Sequence, residues 1–292
     1  ADENARMGSI DPRQGVETCG LVEQMASDEL MLCMTGDPFW AEHCEEVAFN
    51  SYPAAVMPDF KGLRYITCPN QTVSDSKNHH PGIDNRGPFL AMNPFSSRCC
   101  QHNHAQGWPY YAEHLILASP DNGIAAAMYA ACKATVKVGD GNEITLHEQT
   151  NYPFEETIRF TVNTPKAVSF PFYLRIPSWT EGATIFVNGK KVAANPEAGQ
   201  YACIHREWKD NDQVEIQLPM QLSMRTWQVN KNSVSVDYGP LTMSLKIDED
   251  YVKKDSRATA IRKAPTPANG RHTRSMQKLL GTTHWYSART NL

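Results

Sequence analysis

Ile158-Arg159-Phe160-Thr161-Val162 alternates apolar and polar side chains, the period-2 pattern of a strand with one buried face. The same signal recurs on both sides. Thr135-Val136-Lys137-Val138 and Glu143-Ile144-Thr145-Leu146 precede it; Phe172-Tyr173-Leu174-Arg175-Ile176, Thr184-Ile185-Phe186-Val187, Val214-Glu215-Ile216-Gln217-Leu218 and Val234-Ser235-Val236 follow. Asn188-Gly189 closes the Thr184 run with the residue pair that a type I′ hairpin turn requires. Short strands at this spacing, separated by turn residues, predict an antiparallel β-sandwich. The pattern begins near Gly123; residues 124–132 are Ala-rich and fit either a helix or a buried strand. A domain boundary is therefore expected within residues 118–132.

Upstream the period is different. Leu21, Val22, Met25, Leu30, Met31 and Met34 recur near 3.6 residues and predict a helix with one apolar stripe. Gly36-Asp37-Pro38 stops it and starts a second helix, with Asp37 as N-cap and Pro38 at the first helical position. That helix carries Phe39, Trp40, Cys44, Val47, Ala48 and Phe49 and is expected to end at Pro53, so the two form an αα-hairpin. A third helix is expected from Pro109 through Ile116. Residues 53–103 are dominated by loop signals, including the polar run Ser76-Lys77-Asn78-His79-His80-Pro81-Gly82. A loop of this length inside a domain is usually functional or disordered. Tyr65, Ile66, Phe89, Leu90 and Phe95 argue against disorder.

Composition excludes several classes of function. The chain has 292 residues, 41% hydrophobic and 21% charged, which is ordinary for a globular protein, and its length allows two domains. A net charge of −4 gives no electrostatic case for nucleic acid or an anionic membrane. No apolar run is long enough to span a bilayer. The chain opens Ala1-Asp2-Glu3-Asn4 without Met or an export signal, which reads as a fragment whose true start lies upstream. Eight cysteines are too few for a disulfide scaffold of this size and do not fix the compartment. From Ser256 to Leu292 there is no Asp or Glu while Lys and Arg recur. This tail, residues 256–292, reads as unstructured, or as a frame-shifted translation beginning near Ile261.

Two short runs carry the chemistry. Glu17-Thr18-Cys19 alternates a carboxylate with a thiol, and Cys99-Cys100 places two thiols side by side ahead of Gln101-His102-Asn103. Together Glu17, Cys19, Cys99 and Cys100 offer one oxygen and three sulfurs, a donor set that suits zinc. Neither run has the C-x-x-C form that makes a zinc assignment strong, so packed thiols and a vicinal disulfide stand as alternatives. His102 and His104 compete as ligands, but four donors already fill a tetrahedron. Glu45 and Glu46, on the second helix, read by themselves as a solvated face.

In this order, Glu17-Thr18-Cys19, Glu45 ahead of Phe49-Asn50, and Cys99-Cys100 with Asn103 resemble glycoside hydrolase family 127, related to families 142 and 146. The β-region resembles it independently through Leu174-Arg175-Ile176-Pro177-Ser178-Trp179, Val187-Asn188-Gly189, Tyr201 to Trp208, Leu218-Pro219-Met220 and Gly239-Pro240-Leu241. The likeness covers roughly residues 1–260.

The resemblance implies an α+β multidomain chain. Residues 1–122 would be the C-terminal part of an (α/α)6 barrel, and residues 123–255 an antiparallel β-sandwich. It implies a retaining glycosidase that releases an L-arabinofuranose-type or related sugar from plant cell-wall glycans, with an oligosaccharide as its partner; the insert Lys77-Asn78-His79-His80-Pro81-Gly82 and the Gln101-His102 step depart from the family pattern and would suit an acidic sugar. It implies zinc on Glu17, Cys19, Cys99 and Cys100, Cys99 as nucleophile, and Glu45 and Tyr65 at the substrate pocket. The family's acid/base Glu would fall just before Ala1, so the chain alone is expected to be inactive. Read without catalysis, the same features describe a carbohydrate-binding protein with a structural zinc. A polysaccharide lyase on a similar helical barrel is a third class, which unsaturated products would reveal.

Overall fold

The computed structural model describes residues 16–56, 60, 62–67, 73–74, 90–91, 99–193, 196–246, 250–251 and 262–263. The His79-His80 stretch, and the tail beyond Ser256 except Arg262–Lys263, lie outside these residues.

Strand β1 (Val16–Glu17) leads into helix α1 (Thr18–Thr35), which Gly36 ends in the left-handed conformation (φ 68°), its N–H on the Leu32 carbonyl. Helix α2 (Pro38–Glu46) starts as expected, with the Asp37 side chain accepting from the Phe39 N–H at 2.9 Å. It does not end at Pro53. A π-helical turn (Val47–Ser51) takes over, followed by α3 (Tyr52–Ala54), which holds Pro53 in its first turn, where no N–H is needed. Short strands β2 (Leu63–Arg64), β3 (Ile66–Thr67), β4 (Val73–Ser74) and β5 (Leu90–Ala91) come next. Helices α4 (Cys99–His104) and α5 (Gly107–Glu113) close the helical part. The third helix thus stops three residues short of Ile116, which opens a strand instead.

The apolar stripe of α1 also differs from expectation. Leu21, Val22 and Met25 are buried, but so are Asp28 and Glu29, while Leu30 is 60% and Met34 71% exposed. The two carboxylates are buried because histidines from other elements reach them. His43 Nδ1 lies 2.8 Å from Asp28, and His114 Nδ1 lies 3.2 Å from Glu29. Those partners come from α2 and from the end of α5, so the periodicity of α1 cannot reveal them.

The remaining strands are β6 (Ile116–Ala118), β7 (Ile124–Ala126), β8 (Cys132–Val138), β9 (Asn142–Thr150), β10 (Thr157–Asn163), β11 (Val168–Ile176), β12 (Thr184–Val187), β13 (Lys190–Lys191), β14 (Gln200–Trp208), β15 (Asp212–Gln217), β16 (Leu222–Trp227), β17 (Ser233–Tyr238), β18 (Leu241–Met243), β19 (Asp250–Tyr251) and β20 (Arg262–Lys263). Six of them form a sheet in the order β13-β12-β15-β10-β9-β8, and four form a second, β14-β11-β7-β6. One core lies between these sheets: Ile144, Leu146, Ile158, Phe160, Ile185, Val214 and Ile216 from the first meet Ile124, Phe170, Phe172, Leu174 and Trp208 from the second. The Asn188-Gly189 turn has φ of 50° and 75°, as a type I′ turn demands. Residues 124–126 are strand. β7 runs parallel to β11, with Phe172 opposite Ile124, so the expected antiparallel order has one exception. A parallel neighbour needs a long crossover, and the whole β8–β10 meander supplies it.

The helical part rests on the outer face of the four-stranded sheet. Inward residues of β11 are Phe170, Phe172, Leu174 and Ile176; Arg175 points the other way and is still fully buried. A third sheet, β16-β17-β18, is tied to the helical part through Asn50, whose side-chain amide bonds the Pro240 carbonyl at 2.9 Å and the Thr242 N–H at 2.7 Å. No helix among the described residues is long and apolar enough to cross a membrane.

Candidate metal centre

Glu17 occupies the N-cap position of α1, yet its side chain makes no cap hydrogen bond. It turns instead toward α4, where the Cys100 thiol donates to its Oε1 at 3.4 Å and the Cys99 thiol at 3.7 Å. A helix start forgoing its cap is a local rule broken for another purpose. Thr18 secures the geometry. Its N–H bonds the Tyr65 carbonyl at 3.0 Å and its hydroxyl the Arg64 carbonyl at 2.6 Å, while β1 pairs with β3. This clamp brings Tyr65 into the small cluster of Leu21, Ala55, Leu63 and Cys100, against which Cys19 also packs.

Cys19, the second residue of α1, lies 3.2 Å from Cys100, sulfur to sulfur. The ligand atoms of Glu17, Cys19, Cys99 and Cys100 all fall within 4.8 Å of one another. With Zn–S near 2.3 Å and Zn–O near 2.1 Å, a tetrahedral site has S···S edges of about 3.8 Å and S···O edges of about 3.6 Å. The observed 3.2–3.7 Å separations approach those edges closely enough for small side-chain shifts to complete them. Three soft sulfurs with one oxygen match zinc better than a hard cation. The three cysteines and the one carboxylate of this set come together, and both members of the Cys99-Cys100 pair are free thiols. Burial pushes the Cys19 thiol up to about 12 and drives Cys100 up as well. A divalent cation among them would supply the charge that holds thiolates in such a place.

The adjacent cysteines differ in access: Cys99 is exposed and Cys100 is 2% exposed. Tyr52 holds the far end of α4, its ring stacked on His104 at 4.4 Å and its hydroxyl donating to the His104 carbonyl at 2.5 Å. Burial lowers the pKa of His104, favouring a neutral ring.

Glu45 sits in a different setting. It is completely buried, so the solvated-face reading fails for it. Arg175 Nη2 meets its Oε1 at 2.5 Å, the Tyr152 hydroxyl donates to its Oε2 at 2.7 Å, and the Tyr129 N–H and Tyr111 hydroxyl approach Oε1 at 3.3 and 3.4 Å. Arg175 also donates to the Ala127 carbonyl at 2.5 Å and lies over the Tyr129 ring. Burial pushes the Glu45 carboxyl up, against the downward pull of Arg175 and the Tyr152 hydroxyl. Glu46 is half-buried and pairs with Arg225. Sequence reasoning missed Arg175, Tyr152, Tyr129 and Tyr111 as partners of Glu45. The one available signal was a cation inside a strongly apolar strand run.

The family model for the GH127 catalytic domain of β-L-arabinofuranosidase matches residues 1–113, and the model for the GH127 middle domain matches residues 123–220. The chain belongs to glycoside hydrolase family 127. Solved structures agree. A glycoside hydrolase aligns at 29% identity and TM-score 0.64, over 77% of this chain and 37% of that one. A GH127 β-L-arabinofuranosidase from Geobacillus stearothermophilus T6 aligns at 22% identity and TM-score 0.66, over 80% and 37% of the two chains. A GH127 β-arabinofuranosidase aligns at 22% identity and TM-score 0.62, over 77% and 36%. This family 127 chain therefore spans a little over a third of the length of the solved relatives it matches. The search of curated proteins gave no match.

Proposed function

We propose that this chain is part of a retaining glycoside hydrolase that releases an L-arabinofuranose-type or related sugar from plant cell-wall glycans. Its nucleophile would be Cys99, and its zinc would be held by Glu17, Cys19, Cys99 and Cys100. The observation that carries this reading is the meeting of those four donors within 4.8 Å, inside the segment matched by the catalytic-domain model. Bound zinc would keep the cysteines deprotonated. Cys99 is the member with access, so its sulfur attacks the anomeric carbon while the leaving oxygen departs, and water later cleaves the thioglycosyl bond. Tyr65, packed on the same cluster, is proposed at the sugar site. Glu45 is proposed to shape that pocket from behind, since its oxygens already serve Arg175 and Tyr152. The leaving group also needs a proton donor, proposed to be a carboxylic acid elsewhere in the longer protein. An (α/α)6 barrel joined to a β-sandwich is the architecture proposed for the longer protein.

An aryl β-L-arabinofuranoside tests this on the chain itself. A nitrophenolate leaves without protonation, so the first step can proceed without the acid, while the second is slow without the base. The expected result is a single pentose adduct on Cys99 by peptide mass spectrometry, about one zinc per chain, and no adduct in Cys99→Ser. Zinc without any adduct would favour the carbohydrate-binding reading with a structural metal.

A further inference from the structure

The three thiols of the cluster are not equivalent. Cys19 and Cys100 come from different elements, α1 and α4, and their sulfurs already stand 3.2 Å apart across 81 residues of sequence. A disulfide bond is about 2.05 Å long, so closure requires a movement of about 1 Å. Successive helical residues project about 100° apart, so Cys99 and Cys100 diverge at the start of α4. Cys100 turns into the cluster with Leu21, Ala55 and Leu63, while Cys99 stays exposed.

We propose that Cys19 and Cys100 form a redox pair that closes to a disulfide as the cation leaves, with Cys99 remaining a free thiol. The oxidant is a small disulfide such as oxidised glutathione. The Cys19 sulfur attacks it and releases one glutathione; the Cys100 sulfur then attacks Cys19 and releases the second. Two protein sulfurs lose two electrons, one glutathione disulfide gains them, and the cation loses two of its four ligands. This inference rests on the metal reading above and adds to it a specific pairing and a way to switch the site off.

The test loads the chain with one equivalent of zinc, adds oxidised glutathione, and follows two readouts. A chromogenic chelator reports released zinc, and unreduced peptide mapping reports the bond. The expected result is about one zinc released per Cys19–Cys100 disulfide, reversed by dithiothreitol with fresh zinc. Cys99→Ser should form the same disulfide, and Cys100→Ser should stop at a glutathione adduct. A bond from Cys99 to Cys19 or Cys100, or glutathione on Cys99 with zinc retained, overturns the pairing but keeps the metal reading. A chain that takes up no zinc yet closes Cys19–Cys100 keeps the pairing and sinks the metal reading.

Discussion

Replacing Arg175 with Met removes the only cation that touches Glu45 among the described residues, at a point where both side chains have zero exposure. Pairs of this kind cost about 3–5 kcal/mol when one partner is deleted, because the other is left as an uncompensated buried charge. For a chain of this size that corresponds to a drop in Tm of roughly 6–20 °C. The loss should depend on pH. Burial already pushes the Glu45 carboxyl up, and Arg175 is the largest influence pulling it down. Without Arg175 the folded chain holds a proton on Glu45 well above the unfolded value near 4.3. Stability then falls as pH rises through that window, by up to about 1.4 kcal/mol per pH unit. Arg175→Met should therefore lose more at pH 8 than at pH 5, measured by calorimetry or circular dichroism against the parent chain. The double variant Glu45→Leu with Arg175→Met should recover most of the deficit, short of the roughly 1–3 kcal/mol for a Tyr152 hydroxyl left without its acceptor. An Arg175→Met variant within 1 kcal/mol of the parent at both pH values, on the scale of that 3–5 kcal/mol cost, would refute the argument.

Asp28 raises the pKa of His43 and Glu29 that of His114, chiefly through their hydrogen bonds. A raised histidine stabilises fully below its unfolded value near 6.5 and loses that contribution as pH climbs through the folded value. The urea midpoint should fall above pH 6.5, and a His43→Gln, His114→Gln double variant should flatten that fall. The lowered pKa of His104 acts in the opposite sense and below that window. Gly123→Ala would set a Cβ 2.1 Å from the Pro171 carbonyl oxygen at the parallel β7–β11 pairing. It should cost about 1–3 kcal/mol in chemical denaturation, and an unchanged midpoint would contradict that close approach.

The sheets were legible because each strand carries its own period. Ile158, Phe160 and Val162 face the core as their alternation predicts. Asn188-Gly189 and the Gly36-Asp37-Pro38 junction were legible for the same reason, since their backbone chemistry is local. The donors at positions 17, 19, 99 and 100 were visible as residues and as a donor set, but across some 80 residues of sequence only family resemblance favoured one site over packed thiols. Arg175 was illegible. By period it belongs to the outer face of β11, and Glu45 of α2, the Ala127 carbonyl and the Tyr129 ring meet it there. Asp28 and Glu29 were hidden likewise, because an acid in the middle of a helix shows no trace of a histidine supplied by another element.

The π-helical turn at Val47–Ser51 has a consequence for how this gene can vary. The Tyr52 N–H reaches back five residues to the Val47 carbonyl, so the turn carries one residue more than an α-helix would. Removing one residue there would restore ordinary winding and swing everything beyond it by about 100°. Asn50 would come away from Pro240 and Thr242, and Tyr52 from His104 at the end of the cysteine helix. Replacing Asn50 would loosen one of these attachments, but a single-codon deletion would break both at once. Length, as well as the identity of Asn50, is what this segment has to inherit.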